Sequence, residues 1–235
     1  MKKEIAHMQS GMPRHIAFLI DGNRRWAKKR GKPGYRGHYE GAKRVYELIQ
    51  VCAKQRIPHL TFWGLSTENF RERAHMELRS IFSLNKKAIE LLYALNRKKW
   101  NLRFRVIGNM KRLPGDLQKM LKTCERKTKK NTGTTVIAAI NYGGRNELVR
   151  VMKKMIKSGN PVSEKNFAAC LDTAGIPDPD LIIRTGGRNR LSGFMPWQSV
   201  YSELYFTDTL WPDFSEQELD KAIAWFRTIQ RNFGK

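Results

Sequence analysis

Short, nearly continuous apolar runs recur along the chain, separated by longer stretches in which apolar residues return every three or four positions. HIAFLI (15–20), HLTFWGL (59–65), RFRVIG (103–108), TVIAAIN (135–141) and LIIRT (181–185) are too short for helices and rich in strand-forming residues, which predicts buried strands. SELYF (202–206) is predicted to be a sixth. Helical spacing marks 23–30, 39–55, 74–99, 114–130, 145–158, 163–173 and 215–231. This alternation predicts an α/β fold: a single-domain, open, mainly parallel six-stranded sheet flanked by helices. No repeat, low-complexity tract or linker divides residues 1–235, of which 1–13 are expected to be flexible.

One helical segment, 79–96, is apolar around more of its circumference than the rest. Ile81, Leu84, Ala88, Leu91 and Leu95 form one stripe, and Phe82, Ile89, Leu92 and Tyr93 widen it. Two readings fit this pattern, a core helix and one wall of an apolar channel, since both faces would be dry.

Charge changes the picture more than composition does. The chain carries 45 Lys and Arg against 21 Asp and Glu, a formal net charge of +24. Basic clusters such as Lys28-Lys29-Arg30 and Lys153-Lys154 alternate with apolar residues at helical spacing, so most belong on solvated helix faces. Nucleic acid, an anionic membrane surface and diphosphate substrates are the partner classes such a surface suits. No apolar run approaches the ~20 residues of a membrane-spanning helix. The first residues have lysines but no apolar core of a signal peptide, and three scattered cysteines suit a reducing compartment, so a cytoplasmic protein is expected.

The candidate chemistry falls at predicted strand ends. Asp21-Gly22-Asn23 closes the first strand, and Arg24, Arg25 and Trp26 open the next helix, with Asn23 as its expected cap. Free N–H groups and arginines at a helix start attract phosphate, whereas a carboxylate repels it unless a cation intervenes. Asp21 therefore reads either as a Mg²⁺ ligand in a diphosphate pocket or as a simple helix cap. IRTGGRNRLSGFMPWQ (183–198) puts Arg184, Arg188, Arg190 and Ser192 around a diglycine, which suits a second phosphate group or a basic surface loop. LSTENF (65–70) places Ser66 and Asn69 just past a strand end, with His38 in a glycine-bearing segment. Nucleophile-elbow, Walker and dinucleotide motifs are absent from the sequence.

Six blocks in order, HIAFLIDGNRRWAKKRG, GHYEGAKRV, LSTENF, NTGTTVIAAINYGGRNELV, LIIRTGG and SVYSELYFTDTLWPDF, resemble the cis-prenyltransferase family, from about His15 to Gly234. The resemblance implies a homodimer whose apolar tunnel ends in a diphosphate site. It implies Mg²⁺-dependent addition of isopentenyl diphosphate to an allylic diphosphate, usually farnesyl diphosphate, to give a medium-length product such as undecaprenyl diphosphate. On this chain it makes Asp21 and Asn69 catalytic and pairs Glu203 with Asp21 around the metal. Gly22, Asn23, Arg24, Arg25 and Trp26 would hold the allylic diphosphate. Arg184, Arg190 and Ser192 would hold isopentenyl diphosphate, while Arg36, His38, Ser66, Phe70 and Arg73 would complete the substrate site.

The chain departs from the family pattern at several positions. Arg188 stands where an acidic residue is common, Phe70 where a tryptophan is usual, Gly34 where an arginine is usual, and Asn232 where the C-terminal motif has its arginine. The rival readings are an inactive prenyltransferase-like subunit, which would be expected to lose the metal-binding aspartate or site arginines where this chain keeps Asp21, Arg184, Arg190 and Glu203, and a basic nucleic-acid-binding protein, which charge alone supports. The resemblance implies no nucleic-acid partner; the excess charge instead suggests peripheral contact with anionic membrane.

Overall fold

The computed structural model describes residues 11–97, 100–159 and 161–231. Six strands form one sheet: β1 (His15–Leu19), β2 (His59–Ser66), β3 (Arg103–Ile107), β4 (Thr135–Tyr142), β5 (Leu181–Arg184) and β6 (Glu203–Phe206). Their order is β3-β4-β2-β1-β5-β6, and every pair is parallel. All six lie where the apolar runs predict them. Eight helices are described: α1 (Asn23–Lys29), α2 (Gly34–Lys54), α3 (Thr67–Glu72), α4 (His75–Arg97), α5 (Gly115–Thr128), α6 (Gly144–Ser158), α7 (Glu164–Cys170) and α8 (Glu216–Arg227).

Because side chains alternate across a strand, each strand feeds two layers. Ile16, Phe18, Leu60, Phe62, Phe104 and Val136 join the main core with residues of α2, α4, α5 and α8. Ala17, Leu19, Ile137, Ala139 and Ile182 face the other way, against Phe194 and Met195 of the loop after β5. A smaller cluster joins α6 and α7 around Val151, Met155 and Leu171.

Two elements differ from expectation. Past the end of β2, LSTENF enters a helix that was not predicted: Ser66 caps the short helix α3, its hydroxyl accepting from the Asn69 N–H at 3.0 Å. Six residues are too few to show helical period. Helix α2 begins five residues before the predicted start, directly after Pro33. Its early glycines disfavour a helix locally, but a Cβ on Gly37 would lie 1.9 Å from the Asn23 carbonyl oxygen. Close packing of α1 on α2 demands glycine there and overrides propensity. Of the segment expected to be flexible, residues 1–10 lie outside the described residues, and Pro13 is buried.

Candidate active site

From β1 the chain moves to β2 on one side, and after β4 it returns to β5 on the other. The carboxyl ends of β1 and β5 therefore flank a crevice at a topological switch point, where open α/β sheets bind ligands. Asp21 follows β1, and Arg184 ends β5. Thr185 pins the aspartate's backbone: its hydroxyl accepts from the Asp21 N–H at 3.1 Å and donates to the Asp21 carbonyl at 2.7 Å. The carboxylate meets Arg25 Nη2 at 3.2 Å on one oxygen and Arg184 Nη2 at 3.1 Å on the other. Arg184 is buried and also donates to Ser192 Oγ at 2.8 Å and to the Arg190 carbonyl. Burial pulls its guanidinium below the usual range, and the hydrogen bond to Asp21 opposes that shift. Arg190 Nε donates to the same Ser192 hydroxyl at 3.3 Å. Asp21, Arg25, Arg184, Arg190 and Ser192 thus form one connected cluster, although the two strand-end motifs read as separate phosphate sites, while Arg188 lies on the exposed part of the loop.

Helix α1 differs from its expected form. Its N-cap is Gly22, with φ 109, and no side chain caps it. A Cβ on Gly22 would sit 2.9 Å from Leu210 Cδ2, so both backbone and space require glycine. Asn23 is the first helical residue, and its buried Oδ1 has no hydrogen-bond partner. The Trp26 ring is buried instead of facing the crevice: Nε1 donates to Asp213 at 2.6 Å, and Arg30 stacks 4.2 Å from the ring centroid. Trp26 therefore anchors α1 through Asp213 and Arg30. Arg24 and Arg25 are exposed.

A second group gathers on α2, α3 and α4. His38 Nε2 lies 3.3 Å from Glu77 Oε1, and Arg73 Nη1 lies 3.4 Å from the same oxygen. Burial lowers the His38 pKa, with Arg73 next in effect and Glu77 opposing. Burial also lowers that of Arg73, whose Nε lacks a partner. Arg24 adds positive charge to both. Asn69 is exposed on the first turn of α3. Phe70 packs 6.3 Å from Phe82 with Arg112 above it. Arg36 lies over Tyr35 at 5.6 Å and lines a groove beside α4, so it joins the rim and not the Asp21 cluster.

Between the sheet and the α2–α4 pair lies an apolar cavity of about 140 Å³. Ile20, Asn23 and His38 border it near the crevice, and Phe62, Phe104 and Leu121 line it further in. The broad apolar helix packs in the core through Leu95, and Ile81, Leu84, Ala88, Ile89 and Leu92 line the cavity.

A charged crevice beside an apolar cavity suits a molecule with a diphosphate head and a hydrocarbon tail. Residues 19–234 match the family model described as putative undecaprenyl diphosphate synthase. This chain belongs to that prenyltransferase family. An isoprenyl transferase of Wolinella succinogenes is 42% identical over 224 residues, covering 94% of this chain and 96% of that protein. An isoprenyl transferase of Treponema denticola is 41% identical over 225 residues, 94% of this chain and 97% of the other. Among solved structures, lavandulyl diphosphate synthase from Lavandula x intermedia, in complex with dimethylallyl diphosphate, superposes with a TM-score of 0.91. It is 35% identical, over 96% of this chain and all of that one. A probable undecaprenyl diphosphate synthase from Campylobacter jejuni gives 0.78 at 34% identity, over 95% of this chain and 99% of that one.

Within this prenyltransferase the expected partnership of Asp21 with Glu203 is not assembled. Glu203 pairs in register with Leu181, and Arg184 with Phe206, so Glu203 lies three residues, roughly 10 Å, below the carboxyl edge. There its carboxylate faces Arg231 at 3.8 Å. Among the described residues no group of three or more His, Cys, Asp and Glu side chains could hold a metal, and no helix is long and apolar enough to cross a membrane. Asn232 lies outside the described residues. Thr185, Glu77 and Asp213 escaped the sequence reading; only Glu77, four residues after Arg73, left a spacing signal.

Proposed function

We propose that this transferase is a cis-prenyltransferase that adds isopentenyl diphosphate to farnesyl diphosphate with Mg²⁺, and that its product is a medium-length polyprenyl diphosphate. The observation that carries the reading is Asp21 held between Arg25 and Arg184, with Ile20 and Asn23 on either side of it in the chain lining the apolar cavity. Mg²⁺ is commonly held by one or two carboxylates together with substrate phosphates and water. Asp21 supplies such an oxygen. The crevice wall beside it is bare backbone, since a Cβ on Gly186 would lie 2.5 Å from Arg25 Nη2 and 3.2 Å from the Asp21 carbonyl oxygen. The site therefore fits the metal through Asp21 and a diphosphate. When bound, the metal contributes positive charge that stabilises the departing diphosphate.

The chain's own residues account for the rest. Arg24, Arg25 and the first N–H groups of α1 take up charge as the allylic C–O bond breaks. Arg184, Arg190 and Ser192 hold the second diphosphate, so that the two reacting carbons meet in a fixed geometry. His38 and Asn69 border the reacting centre, and the apolar cavity keeps water from the allylic carbon and serves as the start of the product tunnel. The unpaired edge of β6, with Val200 and Tyr201 exposed nearby and Val149, Met152 and Ile156 exposed along α6, supports a homodimer.

The test is incorporation of labelled isopentenyl diphosphate onto farnesyl diphosphate with Mg²⁺, beside Asp21→Ala. A ladder of products ending near one length, reduced about a hundredfold or more by the substitution, is expected. No incorporation on any allylic starter by the folded protein would instead establish an inactive subunit.

A further inference from the structure

The outer side of the α2–α4 pair carries features that prenyl transfer does not use. Both helices run from the carboxyl edge of the sheet back to its amino edge, and two grooves of about 370 and 390 Å³ open along their seam. Exposed apolar and aromatic side chains follow it: Tyr35, Tyr39 and Leu91, with Met76 at the start of α4, 81% exposed. Cations rim it, Arg36 and Arg79 at the first groove, Lys43 and Lys87 at the second. Lys43 lies 4.7 Å from the centroid of Tyr39 and 3.1 Å from Glu40, while Glu90 is the carboxylate lining the second groove. Amphipathic rings and apolar side chains flanked by lysine and arginine suit the headgroup level of a bilayer, with acidic lipid phosphates opposite the cations.

A second observation points the same way. The second groove and the inner cavity share Ala42, Val45, Ile49, Leu84, Ala88 and Leu92, so a wall one side chain thick separates them. The inner cavity, at about 140 Å³, resembles in size an apolar cavity that admits a single benzene. A chain of several isoprene units exceeds it, and the shared wall is the shortest route from that cavity to the outer groove.

We propose that the α2–α4 seam is the face by which this protein docks on an anionic bilayer, and that the lengthening prenyl chain passes through it into the lipid. The second half rests on the prenyl-transfer reading; the first does not.

The test is co-sedimentation with vesicles of phosphatidylcholine alone and of equal parts phosphatidylcholine and phosphatidylglycerol. The wild type should bind the anionic vesicles more tightly. Lys43→Gln with Lys87→Gln should weaken that binding by about ten- to thirtyfold. Tyr39→Ser with Leu91→Ser should weaken it too, whereas Lys153→Gln with Lys157→Gln, which removes the same charge from the exposed face of α6, should leave it unchanged. Equal binding to both vesicles, or an equal loss in the α6 variant, would overturn the docking face. So would a change in the protein's own oligomeric mass on Tyr39→Ser with Leu91→Ser, which would assign the seam to a second copy. Anionic vesicles should also raise isopentenyl incorporation by the wild type and not by the Lys43/Lys87 variant, with both equally active in detergent. Vesicle binding that follows this pattern without any incorporation would sink only the transfer reading.

Discussion

At the scale of single residues, burial decides what each ionisable group can do. His15 is fully buried, with Nδ1 2.7 Å from the Pro177 carbonyl and Nε2 2.7 Å from Thr61 Oγ1. Both nitrogens are used by the neutral ring, and burial, the largest cause, pushes its pKa down to about 4. Below its ordinary value of 6.5 the unfolded chain binds a proton that the folded chain refuses. The His15 contribution is thus complete above pH 6.5 and is lost as the pH falls to about 4, a change of ~3 kcal/mol. Urea unfolding across this range should show the fall, and His15→Asn should flatten it; an unchanged slope would refute the assignment. Asp21 is the opposite case, a half-exposed carboxylate flanked by two guanidinium groups. Its substitution is expected to remove activity more than stability.

At the scale of elements, glycine and buried carboxylates fix how helices approach the sheet. Glu147 on α6 is fully buried and accepts from the Tyr142 hydroxyl at 2.8 Å, the Asp172 N–H at 2.7 Å and Gln198 Nε2 at 3.2 Å. It ties the end of β4 to the segment after α7 and to the loop that carries Ser192, where Gly144 also donates to the Gly193 carbonyl at 2.8 Å. Glu147→Ala would strand the Tyr142 hydroxyl and the Asp172 N–H, leave Gln198 only Thr173 as acceptor, and should cost about 3–5 kcal/mol in denaturant unfolding. Glu147→Gln keeps one acceptor oxygen and should cost less. Equal, small losses in both would mean that the loop is held elsewhere. On α2, Gly37→Ala would place a methyl group against the Asn23 carbonyl. A loss of about 1–3 kcal/mol, with a weaker affinity for allylic diphosphate, is expected from thermal melts and kinetics.

At the scale of the molecule, a net charge of +24 repels itself. Raising the ionic strength from about 10 mM to about 150 mM shortens the Debye length from about 30 Å to about 8 Å and should raise the melting temperature by a few degrees. On the proposed reading, inorganic diphosphate should raise it further at the same ionic strength by binding the folded crevice. A melting temperature that falls with salt would show that paired charges outweigh the repulsion.

The four central strands were legible in the sequence because a strand buried on both faces must be apolar along most of its length, whereas the half-buried edge strands β3 and β6 showed only as short runs of strand-forming residues. Most helices were legible because burying one side imposes a period. Asp21, Arg25, Arg184, Arg190 and Ser192 were also legible, as polar residues where such runs stop. Helix α3 was hidden because six residues cannot show a period, and the early start of α2 because glycines there answer to α1 and not to helix propensity. Resemblance joined Glu203 to Asp21, yet register on β6 sets them at different levels of the sheet. Trp26 stood among site residues but turned to Asp213, far away in the chain. By itself the sequence determined which segments form strands and helices, since burial writes a local pattern. Only the tertiary structure decided which charges meet: Asp21 and Arg184 are 163 residues apart, and strand order alone makes them neighbours.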